Sequence, residues 1–253
     1  MKLIHLSDLH VSTRDDPEYR NLQHIVDHIT RHHQDAAIVI TGDFVNSAKA
    51  SEFEVVREAL APLAEHCRLV MTMPGNHDYK LWGNVESDGG PERFFEFREK
   101  LTKARAGYPY VMEINGVQLI ALDSCMAAND TVDLARGKIG YAQRMQVADY
   151  LEMGSPHTRV VMLHHHPFYR DLGLELVDAD ELLATLAGRC DLLLFGHRHV
   201  SAVWSEVFGV GWIVAAGKST RADASHLHCR VFELEAGIVN YRGNRIALDG
   251  SSV

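Results

Sequence analysis

The sequence predicts an α/β fold in which two β-sheets pack face to face and helices cover their outer sides. Two observations predict this fold. Short apolar runs alternate with segments of helical spacing through most of the chain, which is typical of parallel strands joined by right-handed helical crossovers. Short extended runs separated by turns follow near the C-terminus, which is typical of an antiparallel meander. No linker interrupts the 253 residues, so we expect one domain.

The N-terminal part has a β-α-β-α-β order. Strands are predicted over residues 3–6, 36–40 and 68–73, with helices over residues 19–29 and 51–63 between them. The second strand is a continuous, β-branched apolar run, which favours burial on both faces. We therefore expect these three strands to form a parallel sheet.

The remaining elements predict a second sheet. A helix over residues 94–101 precedes two extended runs, and the Asn115-Gly116 pair between those runs is a strong hairpin signal. These runs are residues 110–114 and 117–122; strands over 159–163 and 192–195 and helices around 145–151 and 178–187 follow. The meander comprises residues 202–207, 211–215, 227–234 and 238–241. We expect this meander, about residues 200–242, to belong to the second sheet.

Composition narrows the class of protein. The hydrophobic fraction of 46% and the charged fraction of 23% are ordinary for a globular protein. The formal charge of −9 has the wrong sign for a broad nucleic-acid surface. No apolar run approaches the roughly 20 residues of a membrane span, and charge interrupts residues 1–8 too early for a signal peptide. Four cysteines without a C-x-x-C pair fit a reducing cytoplasm, and 16 histidines remain to be explained.

Side chains that can bind metals directly follow five of the predicted strands. The motifs are Asp8-Leu9-His10, Gly42-Asp43, Gly75-Asn76-His77-Asp78, His164-His165-His166-Pro167 and Gly196-His197-Arg198-His199. Each motif alone has an ordinary explanation as a turn, a helix cap or a strand end with a buried histidine. Five such motifs at the carboxyl ends of strands, where sites form in open α/β sheets, favour a metal site instead.

The ligand types indicate the kind of metal centre. Imidazole nitrogen with carboxylate and amide oxygen suits Mn²⁺, Fe²⁺ or Zn²⁺, and the thiolates of structural zinc sites are missing. About seven ligand groups exceed what one tetrahedral ion needs. Two ions that share a carboxylate would use all of them, and such a pair stabilises the attacking and leaving oxygens of a phosphoryl displacement. Two divalent ions outweigh Asp8 and Asp43 in charge, so an anionic ester could bind to an acidic protein.

The ordered motifs resemble those of the calcineurin-like metallophosphoesterases over residues 1 to about 217. The resemblance implies a four-layer α/β/β/α sandwich of two mixed sheets with outer helices, and a single domain of this family over residues 1–253. It also implies two divalent ions, manganese or iron in the first place, with zinc, cobalt or magnesium as alternatives. One ion would be bound by Asp8, His10, Asp43 and His199. The other would be bound by Asp43, Asn76, His165 and His197, with Asp43 bridging.

Further roles rest on the same family pattern. The pattern puts one ligand two residues before a proline, which selects His165, although three consecutive histidines leave His164 as an alternative register. The resemblance also implies that His77 is not a ligand but gives a proton to the leaving alkoxide or stabilises the phosphoryl oxygens. Asp78 would orient His77. A histidine suits proton transfer because its unperturbed pKa is about 6.5.

The opening segment and the chain length bear on which phosphate ester is the substrate. The opening segment, residues 4–10, and the compact length are most similar to the class III cyclic-nucleotide and glycerophosphodiester phosphodiesterase branch. We therefore expect hydrolysis of a small phosphodiester, cAMP first, by attack of a metal-bridging hydroxide. The alternatives are a glycerophosphodiesterase, a phosphomonoesterase or nucleotidase, and a non-enzymatic scaffold. No ligand position is missing, which argues against the scaffold, and the sequence leaves a homo-oligomer open.

Substrate selection is expected in the loops over the site, residues 82–91 and 123–140. The aromatic rings there, with Phe168 and Tyr169 nearby, would stack on a base or simply pack the lid. Lys218 and Arg221 would reach phosphate or remain solvated surface charges. Asn46 stands where many relatives have an acidic residue.

Overall fold

Two six-stranded sheets form the centre of the protein in a computed structural model that describes residues 1–125, 135–153, 158–171, 173–221, 226–235 and 237–247. The strands of the described part are β1 (Lys2–Leu6), β2 (Ala37–Thr41), β3 (Leu69–Met73), β4 (Lys80–Leu81), β5 (Val85–Glu86), β6 (Tyr110–Ile114), β7 (Val117–Ala121), β8 (Thr158–Met162), β9 (Leu192–Phe195), β10 (Ala202–Val207), β11 (Val210–Ala215), β12 (His226–Glu235), β13 (Ile238–Tyr241) and β14 (Asn244–Ala247). The helices are α1 (Pro17–His32), α2 (Ala50–His66), α3 (Asn76–Tyr79), α4 (Gly90–Thr102), α5 (Tyr141–Glu152) and α6 (Ala179–Leu186).

The first sheet has the strand order β13-β12-β1-β2-β3, with β14 also paired to β12. Strands β1, β2 and β3 are parallel, as the sequence predicts, with Ile4 opposite Ile38 and Ile38 opposite Val70. Every residue of β2 is buried, because this central strand is covered on both faces. The helix after β1 begins at Pro17, which suits the first turn of a helix, and buries Leu22 and Ile25 against the sheet.

The second sheet has the order β10-β11-β9-β8-β7-β6. Strands β7, β8, β9 and β11 are parallel, and the two edge strands β6 and β10 are antiparallel to their neighbours. The Asn115-Gly116 turn joins β6 to β7, and both residues have positive φ, which such a hairpin turn requires.

The prediction for the C-terminal meander is wrong in its second half. Strands β10 and β11 lie in the second sheet, but β12 pairs with β1 and brings β13 and β14 into the first sheet. The physical reason is burial on both faces of β12. Cys229 and Val231 pack towards the helices, whereas Phe232 and Leu234 pack between the sheets. Pairing with the edge of β1 gives β12 a position in which both of its faces are covered.

Three buried clusters fill the spaces between four layers, which confirms the α/β/β/α sandwich. One cluster lies between the first sheet and the helices α1, α2 and α4. Another joins the inner faces of the sheets, for example Val39 of β2 with Leu194 of β9. The third lies between the second sheet and the helices α5 and α6. The carboxyl ends of β1, β2, β3, β8 and β9 carry the five motifs.

Candidate metal centre

The five motif loops bring two sets of ligand atoms together at the ends of the two sheets. In the first set, the ligand atoms of Asp8, His10, Asp43 and His199 all lie within 4.8 Å of one another. In the second set, the same limit holds for Asp43, His164 and His197. Asp43 belongs to both sets, so the two clusters are adjacent and share one carboxylate. We call them the first and the second cluster.

The backbone of the cluster residues is left-handed at several positions. The φ angles are +54° at Asp8, +49° at His10, +54° at Asp43, +77° at His197 and +53° at His199. Residues other than glycine rarely adopt this conformation, and it costs free energy that surrounding interactions must offset. Here it turns each side chain out of the strand direction and into the cluster.

The first cluster joins side chains from both sheets. His10 Nε2 lies 2.8 Å from His199 Nε2 and 3.5 Å from Asp43 Oδ2. His199 Nε2 lies 3.4 Å from Asp8 Oδ1. Asn46 Oδ1 accepts a hydrogen bond of 3.0 Å from His10 Nδ1, which leaves the lone pair of His10 on Nε2, towards the cluster. His199 is 37% exposed and marks the open side of the site.

The second cluster is fully enclosed. His164 Nε2 lies 3.3 Å from Asp43 Oδ2, 3.1 Å from Asn76 Oδ1 and 3.2 Å from His197 Nδ1. His197 Nδ1 is also 3.1 Å from Asn76 Oδ1. The carbonyl of Thr41 accepts a 2.7 Å hydrogen bond from His164 Nδ1, so the lone pair of His164 faces the cluster.

The structure brings His164 rather than His165 within reach of Asp43, so the geometry favours the alternative register that the three consecutive histidines left open. His165 Nδ1 instead lies 2.8 Å from Ser124 Oγ, outside both clusters. The reason is strand alternation. Met162 of β8 faces the space between the sheets, and Leu163 faces the outer helices, so His164 continues the inner face. The sequence shows that alternate residues point to opposite faces of the strand. It does not show which of the two faces meets the other sheet.

His77 lies beside the clusters without joining them. Its backbone N–H donates to Asp43 Oδ1 at 2.9 Å, and its ring centre is 4.7 Å from that of His10. His77 Nδ1 donates to the carbonyl oxygen of Asn46 at 2.9 Å. Asn46 therefore holds both His10, through its side chain, and His77, through its backbone.

The expectation that Asp78 orients the His77 ring is not what the contacts show. The buried Asp78 carboxylate accepts four backbone N–H groups, from Asp43 and Gly75 at 2.9 and 2.8 Å and from Phe44 and Val45 at 2.8 and 3.3 Å. These bonds fix the loop that carries Asp43. Burial and the Asp43 charge raise the pKa of Asp78 well above its usual range, while these donors favour the charged form.

Two glycines allow the loops to approach this closely. A Cβ atom at Gly75 would collide with the Asp43 carboxylate, and one at Gly196 would collide with Ser7 Oγ and Asp8 Oδ2. The Gly-Asn-His-Asp and Gly-His-Arg-His motifs therefore need glycine for space at these carboxylates.

The charges at the site fit the binding of cations. Burial disfavours the charged form of Asp43, but the His164 and His77 rings outweigh burial and hold its pKa well below the usual value. Burial likewise opposes a proton on His164, yet Asp43 raises the pKa of His164 to about 9, so a proton occupies Nε2 in the ion-free protein and a bound cation would take its place. Within the described residues, Asp8 and Asp43 pair with histidines and with no lysine or arginine. Buried carboxylates without a basic partner, beside imidazole lone pairs, suit divalent metal ions.

Other residues singled out in the sequence lie elsewhere. Lys218 Nζ is 2.9 Å from Glu18 Oε1, so Glu18 neutralises it. Phe168 packs against Trp204, and the Arg198 guanidinium stacks on the ring of Tyr169. Part of the loop 123–140, residues 126–134, lies outside the described residues. The loop 82–91 contains β5 and the turn before it.

Sequence reasoning missed three groups that support the site: the side chain of Ser124, the carbonyl of Thr41 and the contacts of Asn46. Ser124 Oγ accepts from the backbone N–H groups of His164 and His165 at 3.3 and 3.2 Å. Asn46 carried a signal, since it lies three residues after the Gly-Asp motif and its side-chain amide offers both an acceptor oxygen and a donor nitrogen. Ser124 and Thr41 carried none, because they meet the histidines only through the fold.

Comparisons with known proteins agree with this fold. The family model for the calcineurin-like phosphoesterases matches residues 1–201, and the chain belongs to this family. No curated protein sequence matches the chain. Family membership and the two clusters together define the class: a calcineurin-like phosphoesterase with a candidate dinuclear metal site, a hydrolase acting on phosphate esters.

Solved structures share the fold at low sequence identity. A dimetal phosphatase from Danio rerio is 14% identical, with a TM-score of 0.72, over 96% of this chain and 95% of that one. A purple acid phosphatase from yellow lupin (Lupinus luteus) seeds is 12% identical, with a TM-score of 0.68; this chain is covered fully and spans 52% of the lupin protein. An archaeal phosphodiesterase is 14% identical, with a TM-score of 0.52, over 96% of this chain and 99% of that one. Among the described helices, none has the length and apolar character needed to cross a bilayer.

Proposed function

We propose that this chain is a metal-dependent phosphodiesterase that hydrolyses a small phosphodiester, with cyclic nucleotides such as cAMP as the first candidates. The observation that carries the proposal is the pair of ligand clusters that share Asp43. Two divalent ions a few ångströms apart suit in-line displacement at phosphorus. The solved phosphodiesterase and phosphatases of this fold are consistent with this chemistry.

The ligand set that we propose follows the geometry. One ion would be held by Asp8, His10, Asp43 and His199, and the other by Asp43, Asn76, His164 and His197. Nitrogen and oxygen donors without thiolate fit Mn²⁺ or Fe²⁺ first, with Zn²⁺, Co²⁺ and Mg²⁺ as alternatives. Once bound, the two ions would supply positive charge to the phosphoryl oxygens and lower the pKa of a bound water.

His77 is the residue that we propose for proton transfer. Its Nδ1–H is held by the Asn46 carbonyl, so Nε2 is the atom at which His77 takes up and releases a proton. A proton on Nε2 would pass to the oxygen of the leaving alcohol. Asp78 contributes by holding the Asp43 loop in place, and Asn46 contributes by holding both His77 and His10.

The shortage of basic side chains supports a diester rather than a monoester. A phosphodiester carries one negative charge, whereas a monoester carries up to two near neutral pH. Lys218 is paired with Glu18, and the ion pairs of Asp8 and Asp43 among the described residues are made to histidines; Lys80 acts electrostatically on the neighbouring His165 and forms no ion pair with Asp8 or Asp43. The positive charge at the site would therefore come from the two metal ions, which suits a singly charged ester.

Initial rates on two chromogenic esters test this proposal. We expect Mn²⁺-loaded protein to hydrolyse bis(p-nitrophenyl) phosphate much faster than p-nitrophenyl phosphate. A strong preference for the monoester would contradict the diesterase proposal, and hydrolysis of neither would favour a scaffold. A panel of cyclic nucleotides and glycerophosphodiesters on the same preparation then ranks the natural substrate classes.

A cytoplasmic location is part of the same proposal. All four cysteines, Cys67, Cys125, Cys190 and Cys229, are free thiols, and three of them are buried. Free thiols persist in a reducing compartment. Measuring the distribution of the native protein between cell fractions tests the location.

A further inference from the structure

A short hairpin covers the proton-transfer side of the metal centre. Strands β4 and β5 pair in antiparallel fashion, with Leu81 opposite Val85, and the turn between them contains Gly83. The Gly83 carbonyl accepts a hydrogen bond of 3.1 Å from Asn76 Nδ2. A Cβ atom at Gly83 would lie 2.6 Å from His77 Nε2. The hairpin turn therefore contacts both Asn76 and the nitrogen that we propose for proton transfer.

The residue before this glycine is a tryptophan held away from the protein core. Trp82 is 69% exposed, although tryptophan side chains are large and on average highly buried. Its φ angle is +51°, a left-handed conformation that is rare for a bulky residue. Neither exposure nor backbone strain stabilises the fold, which points to a contact that the folded chain itself does not provide.

The position of Trp82 relative to His77 defines what it could contact. The leaving alcohol of a phosphodiester must come within hydrogen-bond distance of His77 Nε2, and thus next to Gly83. Consecutive Cα atoms are about 3.8 Å apart, so the backbone of Trp82 lies next to Gly83, and the exposed indole has no neighbour among the described core residues that would keep it from turning towards the substituent of that alcohol. An uncharged aromatic face suits a planar, polarisable group such as a nucleobase.

We propose that Trp82 determines substrate specificity by stacking its indole on a nucleobase carried by the ester. This inference rests on the proposed diesterase function and narrows its substrate class to nucleotide diesters. Stacking binds every base through its π face, so Trp82 selects for a base without distinguishing strongly among bases. Glycerophosphodiesters, which lack a base, gain nothing from this contact.

Kinetics with matched variants test the inference. We expect Trp82→Ala in the Mn²⁺-loaded protein to lower kcat/KM for cAMP about tenfold or more, with a smaller loss for Trp82→Phe. Neither variant should change kcat/KM for glycerophosphoethanolamine. Val85→Ala is the control, because Val85 is an exposed apolar residue of the same hairpin at 52% exposure and should leave both substrates unaffected. Equal losses on both substrates, or no loss on cAMP, would overturn the inference.

A binding measurement separates this inference from the proposed function. The product of cAMP hydrolysis, 5′-AMP, and its base-free analogue ribose 5-phosphate share the sugar and the phosphate, and only 5′-AMP has a base. We expect Trp82→Ala to weaken 5′-AMP about tenfold in calorimetric titration while ribose 5-phosphate binds as before. If the protein hydrolyses no diester, the proposed function fails, but this pair still tests Trp82. Equal changes for the two ligands would show that Trp82 does not contact the base.

Discussion

The choice between two adjacent histidines can be decided at the level of single residues. His164 and His165 are both fully buried, but only His164 has a ring nitrogen within reach of Asp43. We expect His164→Ala to bind one metal ion instead of two, since one ligand of the second cluster is lost. His165→Ala is the matched control and should retain two. Elemental analysis of both purified variants measures this, and the reverse result would restore the ligand set expected from the sequence.

Substitution of His77 should lower turnover without changing metal binding. It contacts Asp43 through its backbone N–H and Asn46 through its ring, and it belongs to neither cluster. We expect His77→Ala to keep both ions and to lower kcat about 10²- to 10⁴-fold, which is the usual contribution of a general acid. Metal content and steady-state rates on bis(p-nitrophenyl) phosphate check this. Unchanged turnover would remove His77 from proton transfer.

Substitution of Asn46 should weaken the binding of one metal ion only. Its side-chain oxygen accepts from His10 Nδ1, whereas its contact to His77 uses the backbone and survives substitution. We expect Asn46→Leu to weaken the ion of the first cluster about 10- to 100-fold, and Asn46→Asp to preserve it, because aspartate keeps the acceptor. Mn²⁺ titration by calorimetry resolves the two sites. If Asn46→Leu weakened both ions equally, its effect would be on the fold as a whole.

At the level of elements, we expect the β4–β5 hairpin to affect turnover through one residue, Gly83. Gly83 has a φ angle of +75° and no room for a Cβ beside His77, whereas Gly188 has a φ angle of +71° and open space. Both Gly83→Ala and Gly188→Ala should lose about 1–2 kcal/mol of folding stability through the backbone. We expect only Gly83→Ala to lose turnover as well, because its methyl group displaces His77. Urea unfolding and kinetics of both variants check this, and full activity of Gly83→Ala would place the hairpin away from the reaction.

At the level of the whole molecule, a buried histidine should make the metal-free protein sensitive to acid. Burial, together with the charge of Arg230 and against the opposing charge of Asp8, lowers the pKa of His5 to about 3. A depressed pKa contributes stability that is complete above the unfolded value of about 6.5 and is lost as pH falls through the folded value. Between pH 7 and pH 5 this loss is about 2 kcal/mol.

Replacing His5 by glutamine should reduce that sensitivity. His5 Nε2 is 2.8 Å from Thr41 Oγ1, and a glutamine amide can keep a hydrogen bond there. We expect the free energy of unfolding of His5→Gln, measured in urea with a chelator, to fall less between pH 7 and pH 5 than that of the parent protein. The other buried histidines remain in both proteins and cancel in the comparison. Equal declines would show that His5 does not titrate in this range.

The sequence by itself determined most of the described strands and helices and the five motifs, because each depends on residues close together in the chain; the short elements β4, β5, β14 and α3 were not predicted. Apolar runs specified β2 and β9 almost to the residue, and the Asn115-Gly116 pair specified a hairpin. The five motifs at strand ends predicted the candidate metal centre, since parallel strands place their carboxyl ends at one edge.

Only the tertiary structure decided which sheet the strand β12 joins and which side chains contact one another at the site. The placement of β12 beside β1 depends on burial on both of its faces, a contact between residues more than 200 positions apart. The choice of His164 depends on which face of β8 meets the other sheet. The role of Asp78 depends on where the amides of the Asp43 loop point. In each case the deciding interaction joins segments distant in sequence, and a local pattern cannot specify which partner a side chain meets.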